Sequence, residues 1–194
     1  MFVAFKVTDS RRRYKDSGQE LYEVLGNKTL RHGIQGLILS ILLGFAGYAS
    51  AQERGPVTNL PIPRFVSIKA SEANVRRGPS LTHRVDWVFQ ARDLPVEITA
   101  EHGHWRRVSD RDGVGGWVHH ALLSGVRTSI VNVDMSDLHT RPEGNSSLRA
   151  QLERNVIGRI LSCDGTWCRL QAGGYRGWVL QSDVWGTNPG EIIE

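Results

Sequence analysis

Two stretches of this chain share one layout: residues 105–118 read WRRVSDRDGVGGWV, and residues 167–179 read WCRLQAGGYRGWV. Each begins with a segment led by tryptophan, continues through a turn that contains glycine, and ends in Gly-Trp-Val. Glycine between two short segments that contain apolar residues is typical of a tight turn between antiparallel strands. We therefore predict a pair of β-strands in each stretch.

The similarity extends over a longer repeat. The segment Asn74–Pro79 (NVRRGP) corresponds to Asp137–Pro142 (DLHTRP), and each precedes its tryptophan-led segment by the same distance within one residue. Beyond each Gly-Trp-Val, Leu123-Ser124-Gly125 corresponds to Val184-Trp185-Gly186. Four matching segments in the same order at nearly constant spacing indicate an internal repeat of about 60 residues.

The pattern within each unit is that of β-structure throughout. Val85, Trp87 and Phe89 alternate with their neighbours at a period of two, and residues 96–99 (VEIT) do the same. Turn signals separate the segments, and no helical spacing is evident. Several short strands joined by tight turns over 60 residues predict a small, closed or half-closed barrel, so the fold class is all-β.

The motifs resemble those of the bacterial SH3 domain family, in which an N-V/L-R-x-G-P opening precedes a W-x-x-V strand and a G-W-V/I strand. Unit one carries all three, whereas unit two keeps Leu138 and Pro142 but departs from the Arg and Gly positions. The resemblance implies two tandem SH3-like modules, at 65–128 and 129–187, with a tail at 188–194. It also implies non-catalytic binding modules of the cell envelope.

The N-terminal part has the features of a secretory leader. Residues 34–49 (IQGLILSILLGFAGYA) carry no charge, follow a basic flank, and end in Ala49-Ser50-Ala51. The alternative is a membrane-spanning helix, which needs about 20 apolar residues and is disfavoured by three glycines in the run. We predict a signal peptide with an over-long extension at 1–51, cleaved after Ala51. The mature protein would then have no stable membrane span and would be periplasmic or secreted.

Residues 52–64 (QERGPVTNLPIPR) contain three of the seven prolines, lack periodicity, and are predicted to be an extended linker.

The basic charge belongs mostly to the predicted leader. The whole chain has a formal net charge of +4, but removal of residues 1–51 leaves 17 Lys and Arg against 16 Asp and Glu. Nucleic-acid binding needs a concentrated basic patch, which a net charge of +1 does not indicate. A nucleic-acid partner is therefore not predicted.

Cys163 and Cys168 are the two cysteines, and they flank the turn at 164–166 on strands expected to be antiparallel. In an exported protein this arrangement favours a structural disulfide. Two independent buried thiols are the alternative, and a redox-active pair would lack the C-x-x-C motif.

The remaining chemistry-bearing residues do not form a recognisable active site. Five histidines lie in unit one, at His83, His102, His104, His119 and His120, but no cysteine or carboxylate stands at ligand spacing, so no metal site is predicted. The sequence lacks a G-x-S-x-G elbow, and both cysteines are expected to pair with each other. We therefore predict no enzyme activity, no catalytic residue and no cofactor.

The six tryptophans are the main candidates for binding. Trp105, Trp117, Trp167 and Trp178 recur in both units and are expected to be core or half-buried. The less symmetric Trp87 and Trp185 are predicted to line a ligand groove, although either could instead fill the space between the units. The other predicted groove residues are Arg76, Arg106 and His119.

The leading function hypothesis is recognition of peptidoglycan, through stacking of its sugars on aromatic rings or capture of its stem peptide. The alternative is an envelope adaptor that binds an extended segment of a partner protein. An enzyme with an unrecognised site is the third possibility.

Overall fold

The computed structural model describes residues 52–194, and the predicted signal peptide with its cleavage point after Ala51 lies outside them. The described chain forms two antiparallel sheets, one from each repeat unit, which we call the first and second modules. The all-β architecture with two tandem SH3-like modules is therefore confirmed.

The first module contains seven strands. In spatial order they are β3-β2-β6-β5-β4-β1-β7. Their bounds are β1 (Arg64–Ile68), β2 (Ala73–Arg76), β3 (Val85–Phe89), β4 (Pro95–His102), β5 (Trp105–Ser109), β6 (Gly115–His119) and β7 (Leu123–Ser124).

The second module repeats this order as β10-β9-β13-β12-β11-β8-β14, and β15 pairs additionally with β11. Its strands are β8 (Thr128–Val131), β9 (Met135–His139), β10 (Leu148–Glu153), β11 (Ile157–Asp164), β12 (Trp167–Ala172), β13 (Tyr175–Leu180), β14 (Val184–Trp185) and β15 (Ile192–Ile193).

Each module has one short 3₁₀ helix directly after its Gly-Trp-Val strand, at His120–Leu122 and Gln181–Asp183. Between residues 52 and 194, no helix has the length and apolar content needed to cross a membrane.

The glycine of Gly-Trp-Val recurs because another strand passes close to it. A Cβ atom on Gly177 would lie 2.6 Å from the His139 carbonyl oxygen and 2.7 Å from Leu138 Cγ. A Cβ on the equivalent Gly116 would lie 2.7 Å from the Arg76 carbonyl oxygen. The absence of a side chain therefore allows β13 to pair with β9, and β6 to pair with β2.

Each module has its own core, made mainly of aliphatic side chains. Ile68, Val75 and Val118 are fully buried in the first core, and Leu138 and Val179 in the second. The four repeated tryptophans are half-buried and lie outside both cores. Burial of the aliphatic faces supplies the driving force for folding of each module.

The segment expected as an extended linker is instead folded against the first module. Arg54 and Pro61 form an isolated bridge, and the Gly55 amide donates to the Leu60 carbonyl at 2.8 Å. The Glu101 carboxylate accepts the backbone amides of Val57 and Thr58 at 3.1 and 2.9 Å. The turn is ordered because a buried carboxylate on β4 needs donors and this segment supplies them.

The C-terminal residues, expected as a tail, dock on the second module in a comparable place. Ile192 and Ile193 pair with the end of β11. Arg127 donates from Nη1 to Glu191 Oε1 at 2.8 Å and from Nη2 to Glu191 Oε2 at 3.0 Å. This bidentate ion pair holds the last residues to the start of β8.

The predicted disulfide between Cys163 and Cys168 is confirmed and joins directly paired residues of β11 and β12. The equivalent cross-strand pair of the first module is Glu101 and Arg106, on β4 and β5. Arg106 Nε lies 3.5 Å from Glu101 Oε1, and both side chains are buried. The same place in the repeat therefore holds a covalent link in one module and an ion pair in the other.

Candidate functional site

An apolar cavity lies beside Trp185, and we call it the Trp185 groove. It has a volume of about 610 Å³. Its apolar walls are Phe65, Leu180, Val184, Trp185 and Pro189, and its remaining lining residues are Gly165, Thr166, Gln181, Ser182, Thr187, Asn188 and Gly190.

The groove is formed where the two modules meet. Phe65 belongs to β1 of the first sheet and Trp185 to β14 of the second, and their ring centroids are 5.0 Å apart with the planes at 88°. The Arg127 guanidinium lies 5.6 Å from the centroid of Phe65. Edge-to-face contact with Phe65 therefore fixes the orientation of the Trp185 ring.

The groove is electrically neutral. Among the residues of 52–194 that line it, none carries a titratable side chain. Thr166, Ser182 and Asn188 add polar side chains to the lining. A site of this kind suits an uncharged ligand with an apolar face and some hydrogen-bonding groups.

Of the residues predicted for one groove, only Trp185 lies in it. Trp87 is on β3, an edge strand of the first sheet, and its side chain is 51% exposed. Arg76 is next to this strand on β2, but its Nη1 donates to the Leu81 and His83 carbonyls at 3.1 and 2.7 Å. Arg76 therefore holds the loop between β2 and β3 in place.

Arg106 is buried inside the first module, and the structure does not bring it to a groove. Its Nη1 donates to the carbonyls of Gly103 and Trp105, both at 2.8 Å, and its Nε faces Glu101. The sequence predicts exposure because Arg is usually a surface residue, whereas here it occupies the position of a core cysteine in the other module.

Burial would raise the pKa of Glu101, but this effect is outweighed by the hydrogen bonds that the carboxylate accepts. The Thr58 hydroxyl and Arg64 Nη2 each donate to Glu101 Oε1 at 2.6 Å, and two backbone amides donate to Oε2. Together they lower the pKa of Glu101 to about 2. Glu101 and its arginines are thus a structural ion cluster.

His119 lies in a surface cluster with His104 and His120, away from the Trp185 groove. Its ring centroid is 5.8 Å from that of His104, 4.9 Å from that of His120, and 5.5 Å from that of Trp105. Desolvation lowers the pKa of His120, and the charges of His119, Arg106 and His104 lower it further. Within residues 52–194, no group of three or more His, Cys, Asp or Glu side chains is arranged to hold a metal ion.

Several lining residues of the groove were not foreseen from the sequence. Phe65 opens the first module, and Thr187 and Asn188 follow the second. The sequence held one signal for these residues. Trp185 stands where the first unit has Ser124, and a side chain so much larger needs different neighbours from those of the serine.

Comparison with known proteins gives a match in each repeat unit. The model of the bacterial SH3 domain family matches residues 69–125 and 133–186. No curated protein matches the chain.

Two solved structures from Trichomonas vaginalis are similar to parts of this protein. NlpC2 is 17% identical with a TM-score of 0.30, covering 64% of this chain and 48% of its own. NlpC1 is 16% identical with a TM-score of 0.30, covering 69% of this chain and 49% of its own. The present chain thus spans about half the length of either protein.

Proposed function

Because the chain belongs to the bacterial SH3 domain family, we propose that it is a non-catalytic binding protein of the cell envelope that recognises peptidoglycan. The observation that carries this proposal is the neutral, aromatic-walled Trp185 groove. A location outside the cytoplasm is part of the proposal, and the Cys163–Cys168 disulfide is compatible with an oxidising compartment.

The groove favours the glycan strand over the stem peptide. A pyranose ring presents C–H groups on its faces and hydroxyl or amide groups around its edge, which matches an aromatic wall with polar residues at the rim. Thr166, Ser182 and Asn188 supply polar side chains in the lining. Stem peptides carry charged groups, and the described lining offers no charge to pair with them.

The experiment is co-sedimentation of residues 52–194 with purified, protein-free sacculi. Both sheets and both cores lie within these residues. We expect the unmodified protein to pellet with the sacculi and Trp185→Ala to lose at least about fivefold in affinity, since one aromatic contact contributes about 1 kcal/mol beyond its buried area.

Trp87→Ala is the matched control, because it removes a tryptophan from the other module and is expected to bind like the unmodified chain. A thermal melt of Trp185→Ala establishes that the variant is folded, and Asn188→Ala at the rim provides a milder second test. Retained binding by both groove variants would reject the Trp185 groove as the binding site.

A specific observation also supports the alternative function, an adaptor that binds an extended segment of a partner protein. Among the strands of residues 52–194, β3 is an edge strand with one unpaired side, and it presents the exposed Trp87. A peptide added beside β3 as a further strand would form main-chain hydrogen bonds with it, and one of the peptide's side chains would pack against the Trp87 indole. Failure of the unmodified protein to bind sacculi would favour this function, as would loss of partner binding in Trp87→Ala alone.

A further inference from the structure

A second cavity, on the outer face of the second module, is polar and has a volume of about 310 Å³. We call it the His139 cavity. It is lined by Met135, Asp137, His139, Gln151, Trp167, Leu180 and Asp183. It shares only Leu180 with the Trp185 groove, and its lining is charged where that of the groove is neutral.

His139 is 7% exposed, and its ring lines this cavity. Its Nδ1 lies 3.1 Å from the Ser146 carbonyl oxygen, which can only accept. The Ser146 hydroxyl donates its hydrogen bond to the Arg141 carbonyl at 3.1 Å, so it does not donate to Nδ1. Nδ1 therefore donates to the Ser146 carbonyl, and in the tautomer with its hydrogen on Nδ1 the ring offers a lone pair on Nε2.

No hydrogen-bond partner of His139 Nε2 exists within residues 52–194. A nearly buried ring with an acceptor nitrogen open to a cavity can take a donor from a ligand there.

Two carboxylates add further acceptors and negative charge. Asp137 Oδ1 accepts from Gln151 Nε2 at 2.8 Å, and Asp183 Oδ2 accepts from the Ser136 hydroxyl at 2.9 Å. The second oxygen of Asp183, Oδ1, accepts a long hydrogen bond from the Ser182 hydroxyl at 3.4 Å, whereas Asp137 keeps Oδ2. In the described part of the chain, neither carboxylate forms an ion pair with Lys, Arg or His. The cavity thus presents three acceptors with no cation of its own.

We infer that the His139 cavity binds a primary ammonium group at the end of an aliphatic chain, such as a lysine-type side chain. An ammonium carries three N–H donors, which match His139 Nε2 and the two carboxylates in number, and its positive charge is attracted by the two negative ones. Trp167, Leu180 and Met135 provide apolar walls for the methylene groups, and the indole ring adds a cation–π contact.

The first module does not reproduce this site. The positions equivalent to Asp137, His139 and Asp183 are Asn74, Arg76 and Leu122, as the strand register and the 3₁₀ helices show. Two carboxylates are absent there, and an arginine stands where an acceptor would be needed. Cation binding is therefore specific to the second module, and it does not depend on what occupies the Trp185 groove.

The test is an NMR titration of residues 52–194 with Nα-acetyl-lysine methylamide, with Nα-acetyl-norleucine methylamide as the uncharged probe. We expect the lysine probe to shift the resonances of His139 and of the Trp167 indole, with binding that weakens as salt is added. The norleucine probe is expected to leave these resonances unchanged.

The variants Asp137→Asn and Asp183→Asn remove charge while keeping an acceptor for Gln151 and Ser136. Each is expected to weaken binding of the lysine probe about tenfold, because hydrogen bonds to charged groups contribute more than neutral ones. Glu72→Gln, an exposed charge change in the first module, is the matched control and should bind like the unmodified protein. Equal binding of both probes, unchanged affinity in both Asp variants, or no shift with the lysine probe would overturn the inference.

Discussion

The Glu101 cluster makes the first module sensitive to acid. The pKa of Glu101 falls from 4.5 to about 2 on folding, so folding favours the charged carboxylate. At 1.36 kcal/mol for each pKa unit, the difference corresponds to about 3 kcal/mol of unfolding free energy. This contribution is fully present above pH 4.5 and is lost as the pH falls from about 4.5 to about 2.

The perturbation is Glu101→Gln, which keeps the shape of the side chain and removes its charge. At pH 7 the variant is expected to lose about 3 kcal/mol, because Arg64 and Arg106 are left without their buried partner. At pH 2 the unmodified carboxyl is about half protonated in the folded protein and almost fully protonated in the unfolded chain, so the difference between the two proteins should shrink below about 1 kcal/mol.

Urea unfolding at pH 7, 4.5, 3 and 2 measures both free energies, and amide exchange of β4 and β5 assigns the loss to the first module. Glu97→Gln is the matched control on the same strand. Burial raises the pKa of Glu97, so its charge opposes folding at neutral pH and its removal should not destabilise the protein. A cost of Glu101→Gln that is equal at pH 7 and pH 2 would refute the role of charge.

Three further predictions concern the second module. Cys163→Ala combined with Cys168→Ala should lower the unfolding free energy by about 2 kcal/mol, and reductant should then have no further effect on its thermal melt. Gly177→Ala should cost at least about 2 kcal/mol in urea unfolding, since its Cβ would meet the His139 carbonyl at 2.6 Å, whereas Gly144→Ala, with open space around it, should be neutral. Burial raises the pKa of Glu191, but hydrogen bonds from Arg127 outweigh this effect and lower the pKa overall. Glu191→Gln should therefore release β15, which would be seen as faster amide exchange of Ile192 and Ile193 at pH 7. In the unmodified protein, the same protection should be lost as the pH falls below about 4.5. Protection that persists in Glu191→Gln would show that strand pairing alone holds the tail.

The repeat in the sequence was sufficient to predict the fold because each of its anchors has a local physical role. Gly116 and Gly177 are required by close strand approach, and the turns before Trp105 and Trp167 fix the antiparallel pairing. Cys163 and Cys168 could be paired from the same reasoning, since they flank one turn.

The candidate site was harder to predict because it depends on contacts between distant segments. Glu101 accepts the Thr58 amide across 43 residues, and no local pattern shows that such a carboxylate folds the preceding segment. Likewise Phe65 of β1 and Trp185 of β14 are 120 residues apart in the sequence, and their rings meet only at the junction of the modules. Repeat alignment gives the position of a residue along its own strand but does not show which strand of the other module faces it.

The cross-strand position shared by Glu101–Arg106 and Cys163–Cys168 has a consequence for how a newly made chain matures. An ion pair forms as soon as its two strands meet, whereas a disulfide also needs an oxidant. Each new molecule therefore passes through an interval in which the first module is complete and the second still carries two thiols. During that interval a thiol reagent would label only the C-terminal half of the protein, and the interval would lengthen in cells that lack an oxidising catalyst.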